Sequence, residues 1–109
     1  MSDWISVCEE GDLIPGTGVC ALLGDEQVAI FKLRKGEKLY ALANYDPIGQ
    51  ANVLSRGITG SLGDELVVAS PLYKQHFSLT TGKCLENAEH SVKTYPVRVE
   101  AGKVQLRSY

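Results

Sequence analysis

The residues of this chain that could hold a metal or carry redox chemistry are three cysteines and two histidines. Cys8, Cys20 and Cys84 are widely spaced, and the chain contains no Cys-x-x-Cys or Cys-x-His pair. An odd number of thiols at such spacings does not indicate a disulfide framework. We therefore interpret the three thiols as small hydrophobic side chains within strands.

The two histidines give a weak indication of a metal or proton-transfer site. We expect His76 to be a structural or exposed residue and His90 to be solvated, since single imidazoles most often have such roles. Asp46 could pair with either histidine, although the sequence does not show which residues are close together. A metal site built from Cys84, His76 or His90, in a protein that carries electrons, is the first alternative.

Nothing in the sequence predicts an independent catalytic site. Ser70 and the other hydroxyl residues have no Gly-x-Ser-x-Gly elbow around them. A glycine-rich phosphate loop that leads into a helix is also missing from the sequence. We therefore predict no catalytic residue and no cofactor-binding residue in this chain.

The elements that position these residues are predicted to be short strands. Apolar runs are separated by turn residues, and no segment keeps a helical apolar stripe for more than about a turn. The turn at 34–37 follows this pattern, whereas 44–56 and 85–93 are irregular and are predicted to be loops. The pattern indicates an antiparallel sandwich or barrel. The predicted strands are 4–8, 19–23, 27–33, 38–43, 58–62, 65–70, 75–79, 95–99 and 103–106.

Composition narrows the class of protein further. The chain has 109 residues, of which 44% are hydrophobic, so we expect one compact domain over residues 1–109. A formal net charge of −2 with scattered basic residues does not indicate a nucleic-acid partner. The N-terminus does not have the pattern of a signal peptide, and the apolar runs are too short to span a bilayer. We expect a cytoplasmic protein without a membrane partner.

The stretch Ser70–Gly82 resembles the second ligand loop of a Rieske [2Fe–2S] domain, in which Cys-x-x-His is followed by a Phe and a Thr-Gly turn. Phe77 and Thr81-Gly82 carry this resemblance, together with the Leu54-Ser55-Arg56-Gly57 turn and the closing Tyr95–Val104 segment. The resemblance implies an all-β, Rieske-like antiparallel β-sandwich or barrel over nearly the whole chain.

The same resemblance implies that the cluster ligands are replaced. The family's two cysteines and two histidines fall on Pro47, Gly49, Ser70 and Tyr73, none of which is a thiolate or an imidazole. A [2Fe–2S] cluster of this type needs two Cys and two His ligands, and no cysteine lies between Cys20 and Cys84. The fold is therefore predicted to lack the [2Fe–2S] ligands, with no metal in this chain.

This replacement of ligands resembles one branch of the family, the small subunits of cytoplasmic NAD(P)H-dependent nitrite reductases, which has also lost them. The segments 18–31, 53–57, 69–72 and 91–93 are similar to this branch. That resemblance implies a large-subunit partner that holds FAD, sirohaem and an iron–sulfur cluster and reduces nitrite to ammonium. This chain would be its non-catalytic subunit. A standalone Rieske-like module for protein interaction or electron transfer with another oxidoreductase is the alternative.

The former ligand loops are the surface on which we expect the partner to bind. Tyr45 and Tyr73 are candidates for contact, because aromatic residues on exposed loops often anchor interfaces. Trp4 is predicted to belong to the core, since it opens a strand with Ile5 and Val7. The predicted interface residues are Asp46, Pro47, Ile48, Leu72, Tyr73 and Lys74.

Overall fold

The structure is a computed structural model that describes residues 4–33, 38–72 and 74–107. These residues form eleven strands and two 3₁₀ turns, so the all-β prediction is confirmed. The predicted turn at 34–37 and Tyr73 lie outside the described residues.

The 3₁₀ turns are Glu10–Asp12 and Leu54–Arg56. The strands are β1 (Ile5–Glu9), β2 (Gly18–Leu23), β3 (Glu26–Lys32), β4 (Leu39–Ala43), β5 (Tyr45–Asp46), β6 (Ala51–Asn52), β7 (Ile58–Leu62), β8 (Glu65–Ala69), β9 (His76–Ser78), β10 (Val97–Glu100) and β11 (Lys103–Leu106).

The strands are arranged in four small antiparallel sheets. The terminal sheet has the order β1-β11-β10, the central sheet has the order β2-β3-β4, and the distal sheet has the order β7-β8-β9. Strands β5 and β6 form a separate short hairpin inside the first predicted loop. Each predicted hairpin has the expected pairing; Leu23 lies opposite Glu26, and Glu100 lies opposite Lys103. The positions of the turn residues therefore predicted the pairing of neighbouring strands.

Strand β3 is buried on both faces, which gives the molecule a layered core. Val28 and Ile30 pack in a cluster with residues of the terminal sheet. Ala29 and Phe31 point the other way, into a cluster with residues of the distal sheet. All four side chains have no exposed surface. A strand buried on both faces is apolar along its length, as Val28–Phe31 is, because both sets of alternating side chains leave water.

Several expectations for individual side chains are wrong. Trp4 is only half-buried, and the guanidinium carbons of Arg98 and Arg107 lie 4.4 and 4.9 Å from its ring centroid. Trp4 is thus a stacking partner of two arginines, not a core residue. Cys20 is exposed and Cys84 is buried outside the named strands. Alternation along a strand could not show this, because the burial of an edge residue depends on what covers that edge.

No helix among the described residues has the length and apolar character that crossing a membrane would require.

Gly82 closes the turn after β9 under tight constraints. Its φ is +80°, and a Cβ at this position would lie 2.0 Å from the carbonyl oxygen of Val92. Gly63, at the β7–β8 turn, also has a positive φ of +61°, but a Cβ there would meet nothing within 4 Å. The two glycines therefore share the backbone conformation and differ in the available space.

We expect Gly82→Ala to be much more destabilising than Gly63→Ala. The left-handed backbone alone should cost about 1–2 kcal/mol in each variant, and the Val92 overlap should add about 2 kcal/mol or more to Gly82→Ala. Urea unfolding of both variants, followed by circular dichroism, measures the difference. Equal losses of stability would show that the turn moves to accept a side chain.

Candidate functional site

Two loops between neighbouring strands form the candidate site. The first tip loop, residues 46–50, connects β5 to β6, and the second tip loop, residues 70–74, connects β8 to β9. Tyr73 belongs to the second tip loop by sequence and lies outside the described residues. These loops contain all four positions that the Rieske resemblance assigns to cluster ligands.

Each tip loop turns back onto its own first residue. The backbone N–H of Gln50 donates to the carbonyl oxygen of Asp46 at 2.7 Å. In the same way, the N–H of Lys74 donates to the carbonyl oxygen of Ser70 at 3.0 Å. Both donors have left-handed backbone, with φ of 57° at Gln50 and 59° at Lys74. Non-glycine residues rarely adopt this conformation, so the two loops have the same unusual closure.

A buried hydrogen bond joins the two tip loops. The hydroxyl of Ser70 donates to Oδ2 of Asp46 at 2.5 Å, and the two residues are 24 positions apart in the sequence. Oδ1 of Asp46 accepts the backbone N–H groups of Ile48 at 2.8 Å and of Gly49 at 3.0 Å. The Ser70 oxygen also accepts the N–H of Leu72 at 3.3 Å. Asp46 therefore pairs with Ser70, and the expectation that it could pair with a histidine is wrong.

Close packing accompanies the hydrogen bond between the loops. A Cβ placed on Gly49 would lie 2.5 Å from Cδ1 of Leu72 and 3.1 Å from Oδ2 of Asp46. The Leu72 side chain thus occupies the space beside the Gly49 backbone. Because glycine has no side chain to fill that space, the first tip loop can approach the second this closely.

Asn44 fixes the base of the first tip loop, and the sequence reading missed it. Its amide nitrogen donates to Oε1 of Gln27 at 3.1 Å, and its Oδ1 accepts the N–H of Ser55 at 2.7 Å. Its backbone carbonyl accepts the N–H of Leu54 at 3.0 Å. Asn44 is 2% exposed, so these partners replace the water that its amide loses. The sequence signal that could have identified Asn44 is the position of an asparagine directly after an apolar strand.

Glu86 fixes the base of the second tip loop through His76. The backbone N–H of His76 donates to Oε1 of Glu86 at 2.7 Å, and Nδ1 lies 2.5 Å from Oε2. Burial raises the pKa of Glu86, whereas the hydrogen bonds from His76, the charge of His76 and a backbone N–H of Glu86 itself lower it, and together they make the net shift downward. His76 has the structural role that we expected. His90 is half-buried and not fully solvated.

The residues of the tip loops do not fit a [2Fe–2S] cluster. Pro47 has no ligating atom, Gly49 has no side chain, and the Ser70 hydroxyl is engaged with Asp46 and Leu72. Within residues 4–33, 38–72 and 74–107, no group of three or more His, Cys, Asp or Glu side chains is placed to hold a metal. A cluster with four protein ligands therefore has no set of donors in this part of the chain.

The exposed surface of the tip loops differs from the predicted interface in one residue that is buried and in two exposed residues that were omitted. Asp46 has no exposed surface, so it cannot contact a partner, and its inclusion was wrong. Leu72 is 45% exposed. Pro47 and Ile48 are half-buried, and Lys74 is exposed. Gln50 and Pro71 are also exposed here, although sequence reasoning omitted them. Apart from Gln50, the described surface of the loops is apolar, with the Lys74 cation beside it.

The fold and the two loops agree with a family comparison. Residues 3–107 match the family of Rieske-like [2Fe–2S] domains, and the chain belongs to this family. The nitrite reductase (NADH) small subunit of Escherichia coli (strain K12) is 51% identical over 107 residues, which cover 98% of this chain and 99% of that protein.

A solved structure of the nitrite reductase [NAD(P)H] small subunit from Erwinia carotovora is similar in fold and sequence. It has a TM-score of 0.82 and 52% identity, and the match covers 97% of this chain and 82% of that chain. The fold match and the sequence match therefore lead to the same group of relatives.

A third relative is a large subunit. The nitrite reductase [NAD(P)H] large subunit of Klebsiella oxytoca is 43% identical over 101 residues. The match covers 93% of this chain but only 10% of that protein. The large subunit of that organism therefore contains, within one polypeptide, a segment similar to almost the whole of this chain.

The contribution of Glu86 to the free energy of unfolding should be lost in acid. Because the pKa of Glu86 is lowered in the folded chain, its contribution is present above its unfolded pKa and is lost as the pH falls through the lower folded value. We expect Glu86→Gln to lose less stability than the wild type on acidification from about pH 6 to about pH 3. Urea unfolding at each pH measures this difference.

Glu89→Gln provides the control, because Glu89 is an exposed glutamate of the same loop. It should follow the wild-type dependence on pH. An unchanged acid dependence in Glu86→Gln would contradict the importance of the His76 contact.

Proposed function

We propose that this chain, as a single domain over residues 1–109, is the small subunit of an NAD(P)H-dependent nitrite reductase. The observation that carries the proposal is the 51% identity to the E. coli small subunit over practically the full length of both proteins. The shared length matters because the similarity includes both tip loops and the core that supports them. The partner is a separate large subunit, and the complex is cytoplasmic, where NAD(P)H is available as the electron donor.

In this proposal, the large subunit performs the chemistry. It holds FAD, sirohaem and an iron–sulfur cluster and reduces nitrite to ammonium, whereas this chain contributes no catalytic group and no cofactor. The residues of the tip loops support this division: Ser70 and Asp46 use their polar atoms on each other and on the loop backbone. Side chains engaged in this way provide structure, not ligands or a general base.

The Klebsiella oxytoca large subunit supports association as the mode of action. A segment similar to this chain is part of that polypeptide, and covalent attachment keeps such a segment at a high effective concentration beside the rest of the protein. A separate small subunit can reach the same arrangement only through a binding surface. We assign that surface to Pro47, Ile48, Leu72 and Lys74, with Tyr73 included from the sequence.

We expect substitutions on the tip loops to weaken binding of the large subunit. Leu72→Ala removes exposed apolar surface, and Lys74→Glu reverses the charge beside it. Each should lower the affinity by about fivefold or more, which corresponds to about 1 kcal/mol. Coexpression with a tagged large subunit, followed by measurement of binding and of nitrite reduction with and without this chain, tests the proposal.

Ile5→Ala is the matched control. Ile5 is 50% exposed, close to the 45% of Leu72, but it lies in the terminal sheet, which packs on the face of β3 opposite to the distal sheet that leads into the second tip loop. It should bind like the wild type. Unchanged binding in Leu72→Ala and Lys74→Glu would move the interface away from the tip loops, and absence of any complex with wild-type chain would overturn the function.

The proposal also predicts that the purified chain contains no iron–sulfur cluster. After expression with iron and sulfide available, the chain should have no absorption band between about 400 and 600 nm and no stoichiometric iron. A Rieske ferredoxin purified in parallel is the positive control. A visible spectrum with iron that depends on Cys84 or His76 would favour the electron carrier instead.

A further inference from the structure

We propose that Asp46 and Ser70 are positioning residues of the docking surface, because their buried hydrogen bond fixes the first tip loop relative to the second. This inference rests on the proposed function, which assigns docking of the large subunit to these loops. Neither residue can touch the partner, since Asp46 is 0% and Ser70 is 1% exposed. Their effect on binding must therefore be transmitted through the residues that they hold.

The hydrogen bonds of the pair reach the residues that form the surface. Asp46 holds the backbone of Ile48 and Gly49, and Ser70 holds the backbone of Leu72. The Asp46–Ser70 bond is the direct polar link between these two sets. Ile48 and Leu72, one apolar side chain from each loop, are consequently placed relative to each other by one hydroxyl and one carboxyl group.

The backbone of both loops is in a conformation that needs such support. Gln50 and Lys74 have left-handed backbone, which costs a non-glycine residue about 1–2 kcal/mol. Such conformations persist where the surroundings determine them, and they cluster at ligand-binding and switch regions. Here they occur at equivalent places, since each donates its N–H to the first residue of its loop. Those first residues are Asp46 and Ser70 themselves.

The shape and charge of the surface indicate the chemistry of the complementary site on the large subunit. Pro47, Ile48 and Leu72 provide apolar surface, and Lys74 adds a cation beside it. The complementary surface is therefore apolar, with a carboxylate at its rim. Placing two loops in advance lowers the ordering cost of binding such a site, so affinity depends on the buried pair.

The chain contains a matched control for this pair. The hydroxyl of Ser78 donates to Oε2 of Glu65 and accepts the N–H groups of Thr80 at 3.2 Å and of Thr81 at 3.1 Å. Ser78 is 1% exposed, as is Ser70. It lies at the opposite end of β9 from the second tip loop. Ser78→Ala therefore removes the same kind of bond from a turn outside the docking surface.

The test compares Ser70→Ala with Ser78→Ala in two measurements. In the isolated chain, amide hydrogen exchange by NMR should become faster for Ile48 and Gly49 in Ser70→Ala, although the substitution is in the other loop, and should be unchanged there in Ser78→Ala. Binding of the purified large subunit should weaken about tenfold in Ser70→Ala, as expected for one hydrogen bond of about 1.4 kcal/mol. Ser78→Ala should bind within about twofold of the wild type.

Asp46→Ala and the double variant Asp46→Ala/Ser70→Ala complete a cycle. Because both single substitutions remove the same link, the double variant should bind more tightly than the product of the two single effects predicts. Multiplicative effects, or unchanged exchange of Ile48 and Gly49 in Ser70→Ala, would overturn the positioning role. Failure of the wild-type chain to bind would overturn the proposed function, whereas tight binding by Ser70→Ala would overturn only this inference.

Discussion

Burial of β3 on both faces is the constraint on which the rest of the structure depends. Val28 and Ile30 hold the terminal sheet, and Ala29 and Phe31 hold the distal sheet, so one strand joins two hydrophobic clusters. The first tip loop is tied to the same strand, because Gln27 accepts the Asn44 amide and its carbonyl oxygen accepts the Asn44 backbone N–H at 2.9 Å. The core therefore determines where the first tip loop begins, and Asp46–Ser70 determines where it meets the second.

This arrangement explains how the chain's own side chains can hold the two loops together. Small domains need a metal or disulfides when their core is too small, usually below about 70–80 residues. The present chain has 109 residues, and its described residues form two buried clusters, so its size does not by itself require a metal crosslink. A hydrogen bond is far weaker than metal coordination. Close packing of Leu72 against the Gly49 backbone accompanies the hydrogen bond between the loops.

The sequence predicted the strands better than the site. Alternation and turn residues placed the β2–β3 and β10–β11 hairpins, because neighbouring strands are joined by turns that a short window contains. Asp46 was wrongly assigned to the surface. Its partner Ser70 is 24 residues away in the sequence, and no local sequence pattern shows such a contact. A charged residue is rarely buried without a partner. The prediction that Trp4 belongs to the core was wrong for a related reason, because its partners Arg98 and Arg107 come from the other end of the chain.

The buried pair also separates two explanations for a Rieske-like fold that lacks suitable ligands. If the loops had only lost a metal, nothing would keep them together, and loops without contacts become mobile. Here Asp46 and Ser70 satisfy each other, and each also accepts hydrogen bonds from its own loop. No side-chain nitrogen or oxygen that is buried among the described residues lacks a hydrogen-bond partner. Left-handed closures in both loops and satisfied buried polar side chains among the described residues fit the docking surface proposed above. A segment fused into a large subunit would need such a surface less than a separate chain, because a separate chain must overcome the entropy of association through contacts alone.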